Sequence, residues 1–346
     1  MKYSRWLAVL FIFSVILCSP YIYIAGYNYV IDPLWNFKHS NEYNQYQVPF
    51  NERQQKTNLY TFDSTIYDGL IVGTSRSTYI NQHNFKNANV FNYSTSAMHI
   101  REYNDYIEYA KLKRGEEFNV IYLEVFPNQI SFPVTFEEPE VYINLANSPF
   151  YRVKSLFSFD TYEKAKANYE LVVEPNNIGS RSYNRDNIAI AKVLNEEEVE
   201  NTLAEQMKKI VVETEYTYST EYKELLREIR ENNPNTQFVL YSPPYFKERF
   251  FKLFKGDVGY QIYESWLQDC IEVFGEVNNF LYVNAVSEDL SNYFDSNHFY
   301  PKVGDRISAK LEESEEYINE DFGVIVNKGN LNDHLNMIKH QLHHLE

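Results

Sequence analysis

Leu70 to Ser77 reads Leu-Ile-Val-Gly-Thr-Ser-Arg-Ser, a short apolar run that ends in glycine with a serine two residues on. A serine hydroxyl is a poor nucleophile at neutral pH until a base takes its proton. Far downstream, Asp295-Ser-Asn-His298 holds the two side chains that such chemistry needs. His298 is the candidate base. Asp295, three residues before it, is spaced to reach the other ring nitrogen, fix the tautomer and stabilise the imidazolium. A tetrahedral intermediate also needs N–H donors, and Ser75 itself and the Ser96–Ala97 turn can offer them. Each stretch has a plainer reading: Gly73-Thr-Ser75 as a helix cap, Asp-x-x-His as a capping turn. Their positions in the chain join them.

Asp68–Val72 reads as a first strand, Val90–Tyr93 as a second, Asn119–Val125 as a third, Gln237–Ser242 as a fourth and Phe280–Asn284 as a fifth. Helical patterns fall at about 100–113, 221–231 and 260–274, and from Pro301 to about Tyr317. Phe322–Val326 suits an edge strand and Asn332–Leu345 a closing helix. Short apolar strands separated mostly by helices predict a doubly wound, mostly parallel, five-stranded sheet in a three-layer α/β/α sandwich. Right-handed crossovers then put the strand C-termini on one edge. Ser75, the Ser94–Ala97 turn, the Pro127–Asn128 turn and the Asp295–His298 loop all follow strand ends, so these four loops are expected to converge.

Trp6 to Ala25 contains no charged residue. Roughly 20 apolar helical residues span a hydrocarbon core of about 30 Å. Lys2 and Arg5 precede the stretch and predict a cytoplasmic N-terminus with an exported remainder. The apolar run is long for a cleaved signal peptide and no small-x-small site follows it, so an uncleaved single-pass anchor is expected. Residues 1–26 are thus read as anchor and 27–66 as a juxtamembrane linker with a short helix ending near Phe62. Residues 67–346 are read as the α/β domain, interrupted at about 129–218 by an inserted, mainly helical region.

Composition narrows the function. The net charge is −16, with no Lys/Arg block beyond the extreme N-terminus, which excludes the cationic face a nucleic acid needs. The only cysteines, Cys18 and Cys270, fall in the apolar segment and a distant helix, so no disulfide framework is expected. His334, His340, His343 and His344 have helical spacing without acidic or cysteine partners nearby, and no metal or cofactor is expected. The Gly73 loop lacks the extra glycines and lysine of a phosphate-binding P-loop. Arg53 and Lys56 share a helix face that is read as solvated. Glu124 is read as a buried, paired carboxylate rather than a second acid. Arg76 is left open between a substrate anion and a structural salt bridge.

From about Asn51 onwards the sequence resembles the SGNH (GDSL-like) hydrolase superfamily, above all its membrane-anchored bacterial branch related to cell-envelope polysaccharide acyltransferases. Ile71-Val-Gly-Thr-Ser-Arg76 resembles the nucleophile block, with Thr74 where the pattern has Asp. Phe91-Asn-Tyr-Ser-Thr-Ser-Ala-Met98 resembles the second block, with Ala97 at the usual glycine. Tyr293-Phe-Asp-Ser-Asn-His298, continuing through Val303-Gly-Asp305, resembles the terminal block. The resemblance implies a flavodoxin-like SGNH sheet, with Ser75 as nucleophile, His298 as base and Asp295 as its orienter. Ser96, Ala97, Arg76 and Asn128 are the candidate oxyanion or substrate contacts. The family's Gly-x-Asn is replaced here by Leu123-Glu-Val-Phe-Pro-Asn128, with Asn128 out of register.

These readings lead to a serine esterase or O-acyltransferase held in a bacterial cytoplasmic membrane. It would act outside the cytoplasm on acyl, in the simplest case acetyl, groups of a glycan, alongside envelope-biosynthesis proteins. The alternative is an inactive SGNH-fold protein that binds glycan or scaffolds an envelope assembly.

Overall fold

The computed structural model describes residues 2–127, 129, 138–211, 218–314 and 321–344. The chain forms two compact units, Met1–Ser64 with Glu140–Asp186, and Thr65–Pro139 with Asn187–Glu346.

The second unit is built on a six-stranded sheet. Its strands are β1 (Gly69–Val72), β2 (Val90–Asn92), β3 (Val120–Glu124), β4 (Gln237–Ser242), β5 (Glu276–Asn279) and β6 (Val324–Asn327), in the order β2-β1-β3-β4-β5-β6. The first five are parallel, and β6 closes one edge antiparallel to β5. β1 and β3 are buried along their whole length, as expected for central strands of a parallel sheet. The coarse α/β class with a mostly parallel sheet is therefore as expected, with one more strand.

Local sequence sets the helix ends. The helix Ile100–Arg114 starts in a capping box between His99 and Glu102 and stops at Gly115, whose φ of 88° is the left-handed conformation that glycine adopts freely. Pro301 begins the helix Pro301–Leu311 at a position where its missing N–H costs nothing.

Two boundaries differ from expectation. The fifth strand is Glu276–Asn279, earlier than the apolar run Phe280–Asn284, because Asn278 and Asn279 pair with Tyr241 and Ser242. Asn279 is fully buried there because its carboxamide is satisfied. Ser242 Oγ donates to Asn279 Oδ1 at 2.6 Å, and Asn279 Nδ2 lies 2.8 Å from His334 Nε2. Second, a helix at Lys247–Phe254 follows Pro243-Pro244 where none is expected. The expected helix end at Tyr317 lies outside the described residues; the described helix there runs Pro301–Leu311.

In the first unit, Lys2–Ile31 is one helix, longer than the apolar stretch alone. Its Arg5–Ile31 stretch is long and apolar enough to cross a membrane, with a mean hydropathy of 2.3 in its most apolar part, little of which is buried. Its last two turns pack inside the unit, where Ile24, Asn28 and Ile31 are buried. The helices Tyr151–Leu156 and Phe159–Val173 lie against it. The helix Glu52–Phe62 buries a polar face that includes Glu52, Gln55, Lys56 and Asn58. Lys56 is fully buried, not solvated. Partners hold these groups: Gln55 Nε2 donates to the Pro33 and Val48 carbonyls at 2.9 Å, and Asn58 Nδ2 donates to the Leu34 carbonyl at 2.8 Å.

Candidate active site

β1 delivers Gly73 and Ser75 to the C-terminal edge of the sheet. From Leu70 to Ile80, Ser75 alone is half-buried and the others are buried. Its Oγ lies 2.8 Å from His298 Nε2, and His298 Nδ1 lies 2.8 Å from Asp295 Oδ2. The other Asp295 oxygen accepts the backbone N–H groups of Asn297 and His298, both at 2.7 Å. Burial pushes the Asp295 carboxyl up, but the His298 ring and these two N–H donors outweigh it, and its pKa sits below the ordinary value. An ionised carboxylate only accepts hydrogen bonds, so Nδ1 carries the proton in neutral His298 and Nε2 offers its lone pair to the Ser75 hydroxyl.

The imidazole is held on two sides. Phe294 stacks on it with ring centres 5.7 Å apart and planes 1° from parallel, and Tyr79 meets it edge-on at 6.4 Å. The loop carrying Asp295 and His298 is pinned from outside by Gln206, whose Oε1 accepts from Ser296 N at 2.9 Å and Ser296 Oγ at 2.6 Å. Gln206 sits on the acidic helix Glu196–Lys209, and no motif in that helix points to this contact.

Glu124 organises the nucleophile loop. At the end of β3 and fully buried, its Oε2 accepts from Thr74 N at 2.8 Å and from the Ser77 hydroxyl. Its Oε1 accepts from Thr74 Oγ1 at 2.7 Å and Arg76 Nη2 at 2.8 Å. The residues on both sides of Ser75 are thus tied to one carboxylate, while the Ser75 hydroxyl faces His298. Thr78 Oγ1 donates to the Ser75 carbonyl at 2.6 Å and tightens the turn further. Gly73 is required by the same packing. A Cβ there would meet Glu124 Oε2 at 2.5 Å and Glu124 Cβ at 2.7 Å.

Arg76 turns inward. It is 2% exposed, pairs with Glu124, and packs its guanidinium over Phe126 at 4.2 Å and Tyr245 at 4.8 Å. Of the two readings left open for it, the geometry is that of the structural salt bridge; its charge balances Glu124. The Ser94–Ala97 turn runs beside the nucleophile loop, since Thr95 N donates to the Gly73 carbonyl at 3.2 Å. Ser96 is half-buried and Ala97 is exposed with φ of 48°, the left-handed conformation that glycine adopts most readily. Asn128 lies outside the described residues.

His334 is a core residue beside Asn279 and Tyr263, and burial pulls its pKa down to about 4. Among the described residues, Cys18 and Cys270 are both free thiols.

Comparison with protein-family models, curated proteins and solved structures finds no match. Any functional reading therefore rests on the chemistry of the site.

Proposed function

We propose that this protein is a membrane-anchored serine esterase or O-acyltransferase with an SGNH-like, three-layer α/β/α domain. Its substrate is an acylated extracytoplasmic glycan, with acetyl the simplest acyl group. One observation carries the reading: the unbroken relay Ser75 Oγ, His298 Nε2, His298 Nδ1, Asp295 Oδ2, with 2.8 Å at each hydrogen bond. The β2-β1-β3-β4-β5 order supports it, because this flavodoxin-like arrangement gathers ligands outside the strand C-termini, where Ser75 lies.

The chemistry follows from the relay. Ser75 Oγ bonds to the acyl carbon as its proton passes to His298 Nε2, and Asp295 stabilises the imidazolium. The carbonyl electron pair moves onto oxygen, where the Ser75 N–H and the Ser96–Ala97 turn are the candidate donors. Collapse expels the sugar oxygen, which takes the proton from His298 and leaves an acyl-Ser75 ester. Water or a second glycan hydroxyl then gives its proton to His298 and attacks the ester, releasing free acid or transferring the acyl group.

The long apolar helix supports a single-pass anchor, and Lys2 and Arg5 favour a cytoplasmic N-terminus with the catalytic unit outside a bacterial cytoplasmic membrane. A fluorophosphonate probe is expected to label Ser75 of the folded full chain and to leave Ser75→Ala unlabelled. A folded wild type that stays unlabelled overturns the enzymatic reading.

A second reading, an inactive SGNH-like glycan binder or scaffold, is favoured by one observation. After β3, where the family carries Gly-x-Asn, the chain reads Leu123-Glu-Val-Phe-Pro-Asn128, with Asn128 out of register. Loss of one oxyanion donor costs on the order of 10²–10³ in rate. Ser75→Ala separates the two readings, since a scaffold keeps its cellular role and an enzyme loses it.

A further inference from the structure

The first unit leaves a stripe of large apolar side chains uncovered beside the membrane-length helix. Phe150, Val153 and Phe157 recur at i, i+3 and i+7 along the helix Tyr151–Leu156 and its caps, and Phe159 opens the next helix. They are 76%, 51%, 47% and 61% exposed, while Tyr151 and Ser155 on the other side of the short helix are buried. Contiguous exposed apolar groups of this kind mark a surface meant to meet another apolar phase.

The height of this stripe along Lys2–Ile31 is fixed by contacts. Asn28 Nδ2 donates to the Leu156 and Ser158 carbonyls, at 2.8 and 3.0 Å, and these two residues flank Phe157. The Tyr162 ring lies 6.2 Å from Tyr23 and 5.2 Å from Tyr27. At 1.5 Å per residue, Trp6–Ala25 spans about 30 Å, the thickness of a hydrocarbon core. Tyr23 falls in the last turn of that span, and Asn28 lies only about 4.5 Å beyond Ala25. The Leu156–Ser158 turn therefore stands level with the boundary between acyl chains and headgroups.

We propose that the Phe150–Phe159 face enters the headgroup layer of the bilayer that Lys2–Ile31 spans, giving the first unit a second membrane contact. This rests on reading that helix as an anchor. Arg152 and the exposed Lys154 lie on the same short helix. Lys164 pairs with Asp160, Lys166 with Glu163, and Arg152 packs over Phe37 and Phe62. On a zwitterionic bilayer these charges meet no net surface charge, so the attachment is apolar and insensitive to salt.

The test places nitroxide labels on the full chain in phosphatidylcholine vesicles, using Phe157→Cys and Phe159→Cys in a Cys18→Ser background. Depth is read by power saturation with oxygen against a water-soluble nickel chelate. Leu10→Cys is the control for the anchor, and the free nitroxide in buffer is the control for water. The expected result is a bilayer-core signal at 10 and a boundary signal at 157 and 159 that high salt leaves unchanged and that differs from that of the free nitroxide. Aqueous signals at 157 and 159 with a core signal at 10 overturn the proposal and leave the anchor standing. An aqueous signal at 10 overturns both.

Discussion

The Ser75 hydroxyl and the His298 ring meet at 2.8 Å although 223 positions of sequence separate them. Asp295 completes the relay from within the same short loop as His298 and is held ionised by the ring and by two backbone N–H donors, against the effect of burial. Asp295→Asn keeps the shape but lets the wrong His298 tautomer form, so hydrolysis of an aryl acetate is expected to fall on the order of 10⁴ near neutral pH. Because the folded pKa lies below the unfolded one, Asp295 contributes stability above the ordinary carboxylate range and loses it as pH falls through the folded value. The variant's melting temperature should therefore show a shallower acid-side decline. An unchanged rate would remove Asp295 from the chemistry.

Glu124 is expected to matter without touching substrate. Glu124→Gln replaces an acceptor of four hydrogen bonds with a group that is half donor, and it strips the buried Arg76 of its counter-charge. Breaking one side of a buried pair costs about 3–5 kcal/mol, so the melting temperature should drop. A displaced Ser75 should lower kcat by up to about 10²-fold with little change in KM. The double variant Glu124→Gln/Arg76→Met should recover stability but not kcat. Recovery of both would make Glu124 a stability residue alone.

The sequence made the central strands and the two ends of the Ser75–His298 contact legible because each is a local signal. An apolar run ending at Gly73 is readable without knowing its neighbours, and so is Asp295 placed three residues before His298. What could not be read depends on distant partners. Asn278 and Asn279 form a strand because β4 and His334 satisfy them, while the apolar run beginning at Phe280 packs beyond the strand's end. Gln206 pins the Ser296 loop from a helix whose pattern shows only acidity. Lys56 lies inward because its helix buries a polar face bonded to backbone carbonyls around Pro33 and Val48.

Ala97 occupies a left-handed conformation with φ of 48° on an exposed turn. An L-residue with a Cβ pays roughly 1–2 kcal/mol there, and glycine does not. Ala97→Gly is expected to raise stability by about 1 kcal/mol, less the extra entropy glycine gives the unfolded chain. Chemical denaturation should show a higher midpoint with an unchanged slope. A lower midpoint would mean that the turn is held by side-chain contacts of Ala97.

Lys56 makes the clearest pH-dependent prediction outside the site. Fully buried, its ammonium is destabilised first by desolvation and then by Arg181, against the attraction of Glu52, and its pKa falls to about 7. Glu52 accepts the Tyr183 hydroxyl at 2.6 Å and pairs with Arg181 at 2.7 Å, and Lys56 lies 5.1 Å from the Tyr183 ring centre. Between about pH 7 and the ordinary lysine range, the unfolded chain holds a proton here that the folded chain has released. Stability therefore rises with pH across that window, and the full cost of charging Lys56 is present below about pH 7. Lys56→Met removes the titrating group while keeping most of its volume. The variant should be more stable than the wild type at pH 6, and the gap should close as pH approaches 10. A gap independent of pH would show that Lys56 titrates normally, with its ammonium compensated inside the fold.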